Sequence, residues 1–263
     1  MVTRCSSKCW TLLLALAVLG CGARDDAPNA TPEIVVPLPT ISVAYDLVAH
    51  STPADTTGME ADLRLIERKL GPLAPDIRDH LVAVEVRYFS FTDNSCTVVD
   101  TTRRCTGVLV VHSCLAEEVA ELFQALERDT FPIAKVVPIN RYGLNADSTG
   151  WNDEASMADN NTSGFNYRSK PNSPEPSKHA QGIAIDINPQ QNPLVRHDTQ
   201  GTTSAPPGTR YLATAPGTLN RNNTAKYLTT IGWSWGGRWP RPQDHQHIEK
   251  SRGSCAHLRF SLK

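Results

Sequence analysis

Apolar positions in the first half of this chain follow two distinct periods. Leu63, Ile66 and Leu70 recur at helical spacing and predict a helix over residues 59–70, stopped by Gly71-Pro72. Residues 81–91 alternate and are rich in Val, Tyr and Phe, which predicts a strand. Residues 107–111 predict a second strand and residues 133–139 a third. Residues 115–126 read as a helix with Glu117, Glu118 and Glu121 on its wet side. The pattern changes after Arg141. Residues 142–176 are rich in Gly, Asn, Ser, Asp and Pro, a length of apparently unstructured chain that usually has a function or is disordered. A buried strand is predicted over residues 182–187, then a second polar loop over 189–219 and a short helix over 223–231. An aromatic, glycine-rich turn spans 232–239, a late strand starts at His247, and residues 257–262 form an edge strand. These elements predict one α+β domain, a central antiparallel sheet with flanking helices drawn on one side, and polar chemistry at loop-to-strand junctions.

Composition narrows the class. Arg4 and Lys8 precede a mostly apolar run over residues 10–19, too short to span a bilayer, which predicts a signal segment over residues 1–20. Val18-Leu19-Gly20-Cys21 resembles the lipobox of bacterial lipoproteins, in which the cysteine is acylated. Residues 21–57 read as a Pro-interrupted tether, with short strand-like runs at Val35-Val36 and residues 41–43. Residues 58–263 are long enough for one domain with a hydrophobic core. Formal charge is -1, and removing Arg4 and Lys8 takes it to -3. No basic block points to nucleic acid. The expected form is an exported, membrane-anchored envelope protein, with a monomer favoured.

The chain has seven cysteines. With Cys5 and Cys9 in the signal segment and Cys21 as the lipid site, Cys96, Cys105, Cys114 and Cys255 remain for an oxidising compartment. Cys96 and Cys105 flank a polar turn and read as one pair, leaving Cys114 with Cys255. Four thiols, or a four-cysteine metal site, is the alternative; it lacks a close Cys-x-x-Cys pair.

The densest chemistry lies at Ser177-Lys178-His179-Ala180-Gln181-Gly182-Ile183-Ala184-Ile185-Asp186 and at Asp244-His245-Gln246-His247-Ile248-Glu249. Two imidazoles and one carboxylate suit a zinc ion with a fourth position open to water. In a straight strand His179 and Asp186 would face opposite ways. They converge only if His179 sits in the preceding loop or Gly182 bends the backbone. His50, His80, His112, His197 and His257 have no comparable partner pattern.

Ser177-x-His179-x-x-Gly182-x-Ala184-x-Asp186 followed by Asp244-x-x-His247-x-Glu249 resembles the VanY-like D-alanyl-D-alanine carboxypeptidase and L-alanyl-D-glutamate endopeptidase family. Phe165-Asn166-Tyr167-Arg168, Asp186-Ile187-Asn188-Pro189 and the Gly232–Trp239 segment extend the resemblance over about residues 140–250. It implies zinc ligands His179, Asp186 and His247, with Asp244 as general base. It implies that Arg168 binds substrate and stabilises charge on the attacked carbonyl. Ser177 would contact substrate and, with Glu249, support the ligands. Ile248 replaces the usual aromatic, and His245 adds an imidazole beside the base. The implied activity is hydrolysis of peptidoglycan stem peptides, first as a carboxypeptidase removing terminal D-alanine, second as an endopeptidase. A non-catalytic wall-binding module is a third reading. A structural zinc site, completed by a fourth protein ligand such as His245, is a fourth. Trp233, Trp235 and Trp239 either wall the cleft or pack locally.

Overall fold

The computed structural model of the protein describes residues 51–53, 56–92, 96–170, 173–229 and 231–255. These lie in the unit Leu47–Lys263. The expected signal segment, Cys21, the runs at Val35-Val36 and 41–43, His50, His257 and the strand over 257–262 lie outside the described residues. Among the described residues no helix is long and apolar enough to cross a membrane.

A long antiparallel pair organises the scaffold. β1 (Ser51–Pro53), inside the stretch read as tether, pairs with β2 (Leu81–Phe91). The helix α1 (Thr56–Leu70) precedes β2, as does the short α2 (Pro75–Arg78), whose Pro75 suits a first helical turn. β2 has the predicted bounds. Its partner β3 (Val99–His112) is longer than the predicted strand. The extra residues are polar and mostly exposed, so apolar patterning did not mark them. Alternate residues of β3 serve two cores. Leu109 and Val111 join Val84, Val86 and the apolar face of α3 (Ala116–Arg128). Val110 joins Leu63 and Ile66 of α1. The helices therefore cover both faces of this pair rather than one. Of the acids expected on the wet side of α3, Glu117 and Glu121 are exposed. Glu118 instead accepts from Trp233 Nε1 at 2.9 Å and pairs with Lys250 Nζ at 2.8 Å.

The predicted strand over 133–139 shrinks to β4 (Lys135–Val136), because Pro132 and Pro138 bracket it and a 3-10 turn, Ile139–Tyr142, follows. β4 pairs in parallel with β5 (Asn161–Thr162). Residues 142–176 also contain α4 (Asp153–Ala158), capped by Asn152 Oδ1 accepting from the Ala155 amide at 3.0 Å. That stretch is therefore not structureless, and much of it is buried. The second polar loop contains a hairpin, β7 (Leu194–Asp198) and β8 (Gly201–Ala205). Its exposed polar residues hid the alternation. α5 (Arg221–Leu228) starts at an Asn220–Asn223 capping box.

Three short strands carry the chemistry. β11 (His247–Glu249) lies between β6 (Ala184–Asp186) and β9 (Ser234–Trp235), antiparallel to both. Ile185 and Ile248 are fully buried on its core side. Burying each apolar side chain is worth about 1.5–3 kcal/mol. Ile248, expected as a departure from an aromatic, packs fully buried in this core. β10 (Gln243–Asp244) pairs with β7, so the hairpin holds the strand that bears Asp244.

A disulfide joins Cys114, just before α3, to Cys255, beyond β11. The expected Cys96–Cys105 bridge is not formed. The β2–β3 ladder fixes Cys105 opposite Tyr88. Cys96, at φ 54°, leads toward Asn160, whose Nδ2 donates to its Sγ at 3.6 Å.

Candidate metal and catalytic site

His179 occupies a 3-10 turn, His179–Gln181, ahead of β6. The turn ends at Gly182 with φ +67°, in the left-handed region. Both routes by which the sequence allowed His179 and Asp186 to converge are used. The turn is tied to the end of β3: the His112 amide donates to Gly182 O at 2.9 Å. A Cβ on Gly182 would lie 2.7 Å from His112 N. Ser177 Oγ accepts from the Ala180 amide at 3.1 Å, closing the same turn.

Asp186 and His247 are cross-strand partners in the β6–β11 register, which brings their side chains together. Asp186 Oδ2 lies 3.2 Å from His179 Nε2, and Oδ1 lies 3.1 Å from His247 Nδ1. The two facing ring nitrogens are 3.0 Å apart. All three residues are buried. Neighbours in a tetrahedron of ligands about 2.0–2.1 Å from an ion are about 3.3 Å apart, so the donor spacing suits a small divalent metal.

The outer nitrogens explain the orientation of each ring. His179 Nδ1 sits 2.7 Å from Gly164 O. A carbonyl only accepts, so this nitrogen carries the proton and Nε2 faces inward with its lone pair. His247 Nε2 sits 3.0 Å from Glu249 Oε2, which leaves Nδ1 facing the cluster. His247 and Glu249 are two apart on one strand and so share a face. An acceptor behind each ligating imidazole is how metal sites fix tautomer and basicity.

The electrostatics favour a cation. Burial works against charge on Asp186, but His179 and His247 outweigh it and hold the carboxyl well below the usual range. Burial also opposes charge on His247, yet hydrogen bonds to Asp186 and Glu249 raise it to about 10. Asp244 is pushed up to about 6, first by burial and then by the Asp186 charge. Its Oδ1 is buried without a hydrogen-bond partner.

These groups line a cleft of about 1190 Å³ with Arg168 and Trp239. Arg168 Nε is 3.2 Å from Asp153 Oδ2 of α4. The contact is an ion pair rather than an aligned hydrogen bond, because Nε has no hydrogen-bond partner. Of the three tryptophans weighed as cleft walls, Trp239 is one, 5.4 Å from the His247 ring. Trp233 and Trp235 are buried and bonded to Glu118 and the His245 carbonyl. Phe165, Asn166 and Tyr167 form a packed segment. His245 stacks on Tyr211 at 3.6 Å, and burial lowers it to about 4. It stands apart from the His179, Asp186 and His247 donor cluster. A second grouping, His112 with Cys114 and Cys255, offers no thiolate because the sulfurs are bonded together.

Sequence reasoning missed the Gly164 carbonyl behind His179 and the Asp153 carboxylate beside Arg168. Gly164 contributes only its carbonyl and leaves no side-chain signature. Asp153 lies within the polar stretch 142–176 and matches no motif.

Residues 171–250 match the family model described as D-alanyl-D-alanine carboxypeptidase. No curated protein and no solved structure matches the chain.

Proposed function

We propose that the chain is a zinc peptidase of the VanY-like carboxypeptidase and endopeptidase family, hydrolysing peptide bonds of peptidoglycan stem peptides with an ion held by His179, Asp186 and His247. The carrying observation is the convergence of three buried donors whose outer nitrogens are already anchored. A bound zinc ion would polarise a scissile carbonyl and bring its water's pKa toward about 7. His245 lies outside the cluster, which supports a position open to solvent and argues against a closed structural site.

Asp244 is the general base. Its carboxylate lines the same cleft as the three ligands, with Oδ1 buried and unpaired, which places it to take a proton from a water there. It accepts the proton of the attacking water and returns it to the departing amine. Arg168 orients the substrate and stabilises negative charge growing on the attacked oxygen. One such contact is worth about 100- to 1000-fold in turnover. Asp153 holds Arg168 against the cleft wall, Glu249 orients His247, and Ser177 secures the His179 turn.

The preferred bond is the terminal D-alanyl-D-alanine link, supported by the description of the matching family model. Cleavage inside the stem is the second reading of the same cleft. Export and anchoring at Cys21 rest on the leader-like residues 1–20 and the lipobox-like run. Incubation of zinc-loaded protein with defined muropeptides, read by product mass, tests the reading. Loss of one alanine supports the carboxypeptidase, and internal fragments support the endopeptidase. No product from any wall peptide would leave a binding module.

A further inference from the structure

Gln246 lines the catalytic cleft between the proposed base and the ligand His247, yet it is only 4% exposed. Its Oε1 is buried with no hydrogen-bond partner. Its Nε2 donates to Met157 Sδ of α4 at 3.5 Å, and a thioether is a weak acceptor. Buried carboxamides are ordinarily satisfied on both ends. Here neither end is held firmly, which leaves the amide uncommitted at the edge of the cleft. An apolar residue of the same length would fill this site with less strain on stability.

We propose that Gln246 is a substrate-positioning residue that reads one backbone amide of the bound peptide. Its oxygen accepts the peptide N–H, and its NH2 donates to a neighbouring peptide carbonyl. A carboxamide offers the donor and acceptor that match the N–H and C=O of one extended residue, which belong to two adjacent peptide groups. The inference rests on the proposed peptidase reading of the same cleft.

The test combines Gln246→Met with a peptide series in which each amide nitrogen of a defined stem peptide is methylated in turn. Cleavage by zinc-loaded protein gives kcat/KM, and calorimetry on Asp244→Asn, with and without Gln246→Met, gives affinity. In the parent protein, methylation at one position lowers kcat/KM and affinity by about 10- to 100-fold. In Gln246→Met that same methylation has little further effect, whereas the other positions respond as before. The melting temperature of Gln246→Met rises by about 2–4 °C, because the orphaned acceptor is gone. A purely structural glutamine would lower it. Equal sensitivity of both proteins at every position overturns the inference while leaving peptidase action intact. Peptide binding with this coupling but without cleavage sinks the catalytic reading alone. Absence of any peptide binding overturns both.

Discussion

His247 is the group whose proton a bound metal must displace. With His247 raised to about 10, its imidazole is charged at pH 7 in the cation-free protein. Asp244, at about 6, is then mostly ionised. A metal ligand must be deprotonated, so zinc binding at pH 7 should release about one proton. Calorimetry in buffers of different ionisation heat measures this number, and a value of zero contradicts the assignment of His247. As pH falls through about 6, Asp244 also takes a proton, a carboxylate beside the ion is lost, and zinc affinity should fall more steeply. Asp244→Ala should keep its zinc and lose about 100- to 10,000-fold in turnover. Near-normal turnover in a metal-loaded sample would remove Asp244 from the base role. At this scale the cluster side chains, Glu249 behind His247 and Ser177 in the His179 turn were legible, and the partner of the His179 ring was not. His179, Asp186 and His247 are set out by spacing in the sequence. The carbonyl of Gly164 belongs to any residue's backbone, so nothing in the sequence marks it as the partner of His179.

Among the elements, the end of β3 decides where the site forms. It bonds to Gly182 and, through Val110 O, to the Phe165 amide at 2.7 Å, placing both the His179 turn and the Gly164 carbonyl. Gly182→Ala puts a Cβ against His112 N in a left-handed conformation. It should lower stability by more than about 1 kcal/mol and weaken zinc binding. Urea unfolding and metal titration of the variant measure both, and unchanged values would show that the turn adapts. The odd spacing of His179 and Asp186 already required either a loop position for His179 or a bend at this glycine, so this element was readable. β2 and β11 were readable because their apolar residues alternate or sit beside the motif. The β7–β8 hairpin was not, because its pairing buries little apolar surface and its side chains are mostly exposed. The strand over 133–139 was overestimated because Ile and Val outweighed Pro132 and Pro138.

For the whole molecule, the Cys114–Cys255 link spans 141 positions and fastens the chain after β11 to the start of α3. Lys250 reinforces that attachment through Glu118. Replacing both cysteines by serine should lower unfolding stability by about 2–5 kcal/mol, measured by denaturant under non-reducing conditions. No change would mean that the Lys250 and Ile248 contacts alone secure this strand. The pairing of Cys114 with Cys255 followed in the sequence from first matching Cys96 with Cys105. The structure keeps the former and not the latter, because sequence proximity says nothing about the strand register that holds Cys105 in place. Zinc K-edge X-ray absorption on the loaded protein tests the central proposal most directly. Two imidazole nitrogens at about 2.0–2.1 Å with oxygen donors from Asp186 and a solvent molecule are expected. A sulfur shell near about 2.3 Å, or a third imidazole completing a closed protein site, would contradict it.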